Sequence, residues 1–280
     1  MTDEMRGKLC LITGASSGIG FVTALALAKK GAAIFMVCRN KGKAKKARAE
    51  IIQASGNLDV EILWCDLASQ KQIRDLAAAY KSRFSGLHLL LNDAAVVPRK
   101  RTLTEDGIET QFAVNHLAYF LLTNLLLEEL RAAAPSRVVN VSSGMYARAR
   151  LDFDSLQAEK TYKAMKHYAL TKLLNIFFTY ELARRLEGTG VTANCLAPGF
   201  TATDLGRDFS PFSRLIMKIM AHPKEEGAET VTYLASSPEI EGVTGKYFAK
   251  KRDVPTTALT HDRDAARRIW EFSEKLTGLA

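Results

Sequence analysis

The sequence predicts an α/β protein built on one doubly wound, mostly parallel sheet with helices on both faces. Three observations carry this. Short apolar runs and longer helix-patterned runs alternate from near the N-terminus. The apolar runs are continuous, as strands covered on both faces require. A glycine cluster, Gly14, Gly18 and Gly20, falls between the first apolar run and the first helical one, where the chain must turn tightly.

The elements follow in order. Leu9 to Thr13 reads as the first strand and the Ala/Leu-rich run Phe21 to Lys30 as the first helix. Ala33 to Cys38 is the second strand. Lys41 to Ser55 is a helix closed by Gly56. Val60 to Trp64 and Gln70 to Phe84 are the third strand and helix, and Leu87 to Leu91 is the fourth strand. Ile108 to Arg131 reads as one long helix. Arg137 to Val141 is the fifth strand, Tyr162 to Leu186 a second long helix ending at Gly188, and Val191 to Leu196 the sixth strand. Right-handed crossovers wind such a chain into an open sheet. No internal repeat, low-complexity stretch or linker interrupts it, so residues 1–280 are expected to form a single domain with a C-terminal helix at about 264–276. Two long irregular segments, Asp93 to Gly107 and Gly199 to Pro223, follow strands four and six. Loops at those strand ends line the ligand crevice of this architecture.

Composition bounds the function. The chain has 280 residues, 47% hydrophobic and 25% charged, which is enough for a sizeable core. Its net charge of +9 admits a nucleic acid, an anionic membrane or a phosphorylated ligand. The densest basic run, Arg39, Lys41, Lys43, Lys45, Lys46 and Arg48, reads for its lysines as a solvated helix face. No aromatic interleaving or recognition motif accompanies the charge, so nucleic acid is set aside. Cys10, Cys38, Cys65 and Cys195 lack metal or redox spacing and read as free buried thiols in a reducing compartment. No metal site is expected. With no signal peptide and no apolar run near the length of a membrane span, the expected location is the cytoplasm.

The segment Thr13-Gly14-Ala15-Ser16-Ser17-Gly18-Ile19-Gly20 has the pattern T-G-x-x-x-G-x-G at a strand-to-helix turn. Glycines allow close backbone approach to a pyrophosphate, and the following helix offers free N–H groups and a positive dipole end. Gly14, Ser16, Ser17, Gly18, Ile19 and Gly20 are therefore the expected phosphate cradle of a dinucleotide. The residue after strand two reads the adenosine ribose in such folds: an acid suits NAD, an Arg suits the 2′-phosphate of NADP. Arg39 stands there with no acid beside it in sequence, which favours NADP(H). Asp66-Leu67 follows strand three. Asp66 either accepts from the adenine amino group or caps the third helix.

Tyr168-Ala169-Leu170-Thr171-Lys172 places a phenol and an ammonium on one helix face. A nearby ammonium favours the phenolate and lowers a pKa that is otherwise too high for acid–base work. Tyr162 and Lys166 share the spacing, so position must decide. Strand five ends in Val141-Ser142-Ser143, Asn115 lies in the preceding helix, and strand six ends in Ala197-Pro198-Gly199, followed by Thr201.

Together and in this order, T-G-x-x-x-G-x-G, N-x-A at Asn92 to Ala94, the helix Asn115, V-S-S, Y-x-x-x-K and P-G resemble the short-chain dehydrogenase/reductase family over essentially the whole chain. Val114 to Thr123, Lys172-Leu173-Leu174-Asn175, Gly188 to Thr192 and the tail Arg268 to Gly278 resemble its retinol dehydrogenase-like branch. The resemblance implies a Rossmann fold and hydride transfer with a small carbonyl or alcohol substrate. It implies that Ser143, with Ser142 as the alternative, bonds the substrate oxygen and that Tyr168 passes the proton. Lys172 would lower the Tyr168 pKa and hold the ribose, and Asn115 would support Lys172 through a water. Asn92, Ala94, Pro198, Gly199 and Thr201 are implied cofactor contacts beside Arg39, Asp66 and Leu67. One departure stands out: the family's N-N-A-G is here Asn92-Asp93-Ala94-Ala95.

The segment 200–223 carries Leu215, Ile216, Ile219 and Met220 at helical spacing. As a lid it would favour a lipophilic aldehyde or ketone, retinal-like, steroid-like or of medium chain length. The same face could instead pack on the core or dock on a membrane or partner. A double-bond reductase and a cofactor-sensing protein are the competing functions. The two long helices could also pair across a twofold in a homo-oligomer.

Overall fold

The computed structural model describes residues 4–199 and 223–280. The expected lid and Thr201 fall on residues outside these. One eight-stranded sheet runs through the molecule in the order β3-β2-β1-β4-β5-β6-β7-β8. Its strands are β1 Leu9–Thr13, β2 Ala33–Cys38, β3 Val60–Trp64, β4 Leu89–Asn92, β5 Ser136–Val141, β6 Val191–Ala197, β7 Tyr247–Ala249 and β8 Arg252–Asp253. All neighbours pair in parallel except β7 and β8. The order reverses between β1 and β4, and the crevice of a doubly wound sheet opens at such a switch point.

The buried strands present alternate residues to two cores. On one face Cys10, Ile12, Ile34 and Met36 pack against Ala24 and Leu27 of α1 (Gly18–Lys29), Ala47 and Ile51 of α2 (Lys41–Ser55), and Val231 and Leu234 of α7 (Lys224–Ser236). On the other face Leu11, Phe35, Leu90 and Val138 meet α3 (Gln70–Lys81) and the long central helices. Gly56 ends α2 at φ 69° and accepts no Cβ strain there. The lysines of α2 are all exposed, in keeping with a solvated face.

Sequence reasoning erred on the first long helix. The run 108–131 is divided: Thr110–Phe112 is α-helical, Ala113–Leu117 is π-helical, and Ala118–Leu125 is α-helical again. We label this composite run α4. A break at Leu126 separates it from α5, Leu127–Ala132. The widened π turn contains Asn115 and His116, both fully buried and hydrogen-bonded. Helical propensity does not signal such a bulge, which forms where side chains draw on tertiary partners. The second long helix, α6, spans Ala164–Arg185, so Tyr162 lies before it.

The C-terminal helix α8, Arg263–Thr277, begins under an Asp262 cap and ends at Gly278 in the left-handed region. It lies over α4 and α6. Trp270 sits 4.8 Å from the Phe120 ring and 5.8 Å from the Phe178 ring, and the Ser273 hydroxyl is 3.0 Å from His116 Nε2. Part of the face that the two long helices could have offered to a second copy is thus covered within the chain. No helix among the described residues is long and apolar enough to cross a membrane.

Candidate active site at the carboxyl ends of the strands

Thr13 ties the switch point together. Its hydroxyl donates to Leu91 O (3.3 Å) and accepts from the backbone N–H of Asp93 (2.9 Å) and Ala94 (3.1 Å). The phosphate loop is thereby pressed onto the end of β4. At Gly14, φ is 74°, and a Cβ would stand 3.1 Å from Ala94 Cα. At Gly20 a Cβ would stand 2.8 Å from both Asp93 Oδ2 and Gly14 O. Neither position tolerates a side chain, which gives the glycine pattern its physical reason. Ser17 is the N-cap residue of α1, yet its hydroxyl makes no capping bond, and no acid lies in the first turn. A close-packed loop leading to an N-terminus without a side-chain cap fits a pyrophosphate.

Ser16 hydrogen-bonds the Cys38 thiol, which burial pushes up to about 11. The loop therefore touches the end of β2, and Arg39 follows directly. The sequence placed no acid beside Arg39, but the structure does: Nη1 lies 3.5 Å from Asp66 Oδ1. Strands β2 and β3 are adjacent, with Cys38 opposite Trp64, so the loops after them converge. Both groups are well exposed, and a pair of this kind contributes little. Asp66 does not cap α3. Ser69 does, and Asp66 Oδ1 accepts from Ala68 N in the turn before it. Leu67 is buried behind it.

The Asn92 side chain is committed to bonds within the protein. It is fully buried, and its amide donates to Thr123 Oγ1 (3.1 Å) and Asn140 Oδ1 (2.8 Å). The side chain ties β4 to β5 and α4. Ala94 and Gly14 do meet, as above. Ala95, where the family usually has Gly, causes no backbone strain: among described non-glycine residues only Ala158, Lys250 and Lys251 have positive φ. Pro198 and Gly199 follow β6, with Gly199 exposed at φ 83°.

Helix α6 brings Tyr168 and Lys172 to the end of β5. Both are buried, 7% and 1% exposed. The Tyr168 hydroxyl hydrogen-bonds Ser143. The Ser142 hydroxyl instead donates to the Lys172 carbonyl at 2.8 Å, which removes it from the alternative role. Lys172 Nζ donates to Val141 O (2.8 Å) and sits 5.5 and 5.6 Å from the ring centres of Tyr119 and Tyr168. Burial pulls this ammonium down to about 8, against the attraction of Asp93. Burial likewise pushes the Tyr168 hydroxyl up to about 12, with Asp93 adding to the rise and the Ser143 hydrogen bond opposing it. The lowering by Lys172 that the resemblance implies is not seen in the protein alone, where desolvation dominates.

Asn115 does not act on Lys172 directly. Its carbonyl oxygen accepts from Val96 N (2.8 Å), and its amide donates to Val96 O (3.0 Å) and Thr171 Oγ1 (3.3 Å). It joins the segment after β4 to α6. Tyr119, which the sequence did not single out, donates to Ala94 O (3.1 Å) and shares Lys172 with Tyr168. Also missed was Glu109, buried with His167: Oε2 lies 2.7 Å from His167 Nε2 and accepts from Phe112 N. Nothing in the sequence distinguishes this acid from a surface one. His116 is structural, and burial pulls it down to about 4. Among the described residues no group of three or more His, Cys, Asp and Glu could hold a metal.

Comparison with known proteins agrees with this arrangement. Residues 8–213 match the family model for short chain dehydrogenases. Retinol dehydrogenase 14 of Homo sapiens is 42% identical, over 98% of this chain and 88% of the relative. Retinol dehydrogenase 13 of Homo sapiens is 41% identical, over 98% and 85%. Among solved structures, an uncharacterized protein from Mycobacterium paratuberculosis superposes with a TM-score of 0.80 at 31% identity, covering 98% of this chain and 94% of that one. A short chain dehydrogenase from Burkholderia cenocepacia J2315 in complex with NADP superposes with a TM-score of 0.70 at 25% identity, covering 88% and 96%.

Proposed function

The chain belongs to the short-chain dehydrogenase family, with retinol dehydrogenases among its relatives, and on that premise we propose that it interconverts a lipophilic aldehyde or ketone and its alcohol using NADP(H). The observation that carries this is the convergence of Ser143, Tyr168 and Lys172 at the end of β5, beside a glycine-rich loop built for a pyrophosphate.

NADP(H), when bound, supplies or accepts the hydride. The protein does the rest. Gly14 to Gly20 and the N-terminus of α1 hold the phosphates, and Arg39 takes the 2′-phosphate in exchange for its loose pair with Asp66. Ser143 donates to the substrate oxygen. Tyr168 gives that oxygen a proton in reduction and removes it in oxidation, and the two hydroxyls stabilise negative charge developing there. Lys172 is held by Val141 O with its charge near both tyrosine rings. It orients the ribose and supports the phenolate. Asn115 positions the segment at Val96 against α6. The similarity to retinol dehydrogenases points to a retinal-like substrate. Four free, buried cysteines suit a reducing compartment, and we assign the protein to the cytoplasm.

The test is consumption of NADPH and NADH with a panel of aldehydes and ketones that includes retinal, with the products identified. We expect carbonyl reduction that prefers NADPH, and an Arg39→Ala variant that loses the preference. Tighter NADH binding would refute the cofactor assignment. Loss of an alkene instead of the carbonyl would refute the reaction.

A further inference from the structure

Asp93 has no role in the scheme above, yet it lies at its centre. It follows β4 where the family resemblance leads one to expect Asn. Its backbone N–H is fixed by Thr13 Oγ1 at 2.9 Å. Its Oδ2 lies under the phosphate loop, 2.8 Å from where a Cβ on Gly20 would stand and 3.2 Å from one on Gly14. The Gly20 N–H, in the first turn of α1, donates to it. The titratable groups facing it are Lys172 and Tyr168 from α6 and Tyr119 from α4. From β1 and α1 it meets the Thr13 hydroxyl and backbone.

One carboxyl thus stands between a buried ammonium and the loop expected to carry a pyrophosphate. In the protein alone it has two attractions for negative charge, Lys172 and the N-terminus of α1. A pyrophosphate held by that loop would add anionic charge close by and compete for the N-terminus of α1. The carboxyl then does better protonated, because the added anion repels its charge and takes over the N-terminus of α1. An Asn would keep the bond to Gly20 with no charge to lose.

We propose that Asp93 is a positioning residue that couples dinucleotide binding to proton uptake, serving as the counter-charge of Lys172 in the free protein and accepting a solvent proton when the pyrophosphate binds. This rests on the dinucleotide assignment made above. Below its own pKa of about 8, Lys172 keeps its proton and its bond to Val141 O, and the proton on Asp93 returns to solvent when the dinucleotide leaves. Burial already holds the Asp93 carboxyl up at about 7, so the exchange falls in the neutral range.

The experiment measures NADPH affinity by fluorescence from pH 6 to 8, below the Lys172 pKa, for the wild type and Asp93→Asn. Uptake of one proton changes Kd by at most about tenfold per pH unit. We expect the wild-type Kd to rise about tenfold more than that of the variant across the range. Titration of the 2′-phosphate is common to both proteins and cancels. Parallel pH profiles would overturn the proposal. Calorimetric binding to the wild type at pH 7.5, in buffers of low and high ionisation enthalpy, reads the proton directly. About half a proton or more taken up per NADPH supports the proposal, and none overturns it, whatever the variant's stability. Failure of the wild type to bind NADPH or NADH at any pH would overturn both the coupling and the functional assignment beneath it.

Discussion

The chain contains the Tyr-x-x-x-Lys pattern twice within eleven residues' reach, and the two copies have opposite fates. Tyr168 and Lys172 lie within α6, are both buried, and share one pocket with Ser143, Tyr119 and Asp93. Tyr162 precedes the helix, Lys166 is exposed, and the Tyr162 hydroxyl is fully engaged: it donates to Pro98 O (2.6 Å) and accepts from Gln111 Nε2 (2.7 Å). The same two side chains at the same spacing are buried together at the end of β5 in one copy and separated into a loop tie and an exposed lysine in the other. The other copy is a structural tie. On the proposed function, the motif supplies groups, whereas burial and the strand end supply the chemistry.

The largest test of that contrast removes each hydroxyl in turn. Tyr168→Phe should lower kcat about a hundredfold or more, the usual contribution of a general acid–base group, while NADPH still binds. Tyr162→Phe should leave kcat within about twofold. Turnover that survives loss of the Tyr168 hydroxyl and falls with that of Tyr162 would invert the assignment.

The lysines come next, and pH separates them. Burial depresses the Lys172 pKa from 10.5 to about 8. Between those values the folded chain binds fewer protons at this group than the unfolded chain, so stability rises with pH across the window and is lost as pH falls through it. Lys172→Met should flatten that rise in denaturation curves taken from pH 8 to 10.5. It should also cut kcat/KM at least about tenfold, since the proposed support for the phenolate is gone. Lys166→Met, at an exposed site, should change neither. An unaltered slope in Lys172→Met would mean that the ammonium is better solvated than its burial implies.

Much of this was legible in the sequence, and the rest was hidden for identifiable reasons. Strand and helix alternation, the glycine loop and the Ser143, Tyr168 and Lys172 set are local patterns, and each landed in its element. The sequence could not show that Arg39 faces Asp66, because the contact depends on β2 and β3 being neighbours. Nor could it show the π turn at Asn115, which owes its shape to partners at Val96 and Thr171. The family motif names Asn92 without showing that its buried amide ties β4 to β5. Strands β7 and β8 are too short to stand out from a loop. Asp93 was visible as a departure, but only the fold brings it to Lys172.

The smallest effect is the most informative about the second tyrosine. Tyr162 pins Pro98, in the segment that leaves β4, to Gln111 at the start of α4. Removing the hydroxyl deletes the bond to Pro98 O. Gln111 Nε2 keeps its bond to Ala164 O at 3.1 Å, so it is not stranded. The cost should be about 1 kcal/mol, that of one lost hydrogen bond with its partner only partly buried, measurable by urea unfolding. If the tie also holds the pocket wall, KM for the substrate should rise a few-fold while kcat and the NADPH Kd stay put. A loss of stability with no change in KM would confine Tyr162 to folding; a fall in kcat instead would mean that its hydrogen-bonded network reaches Tyr168 through His167 and the turn between them.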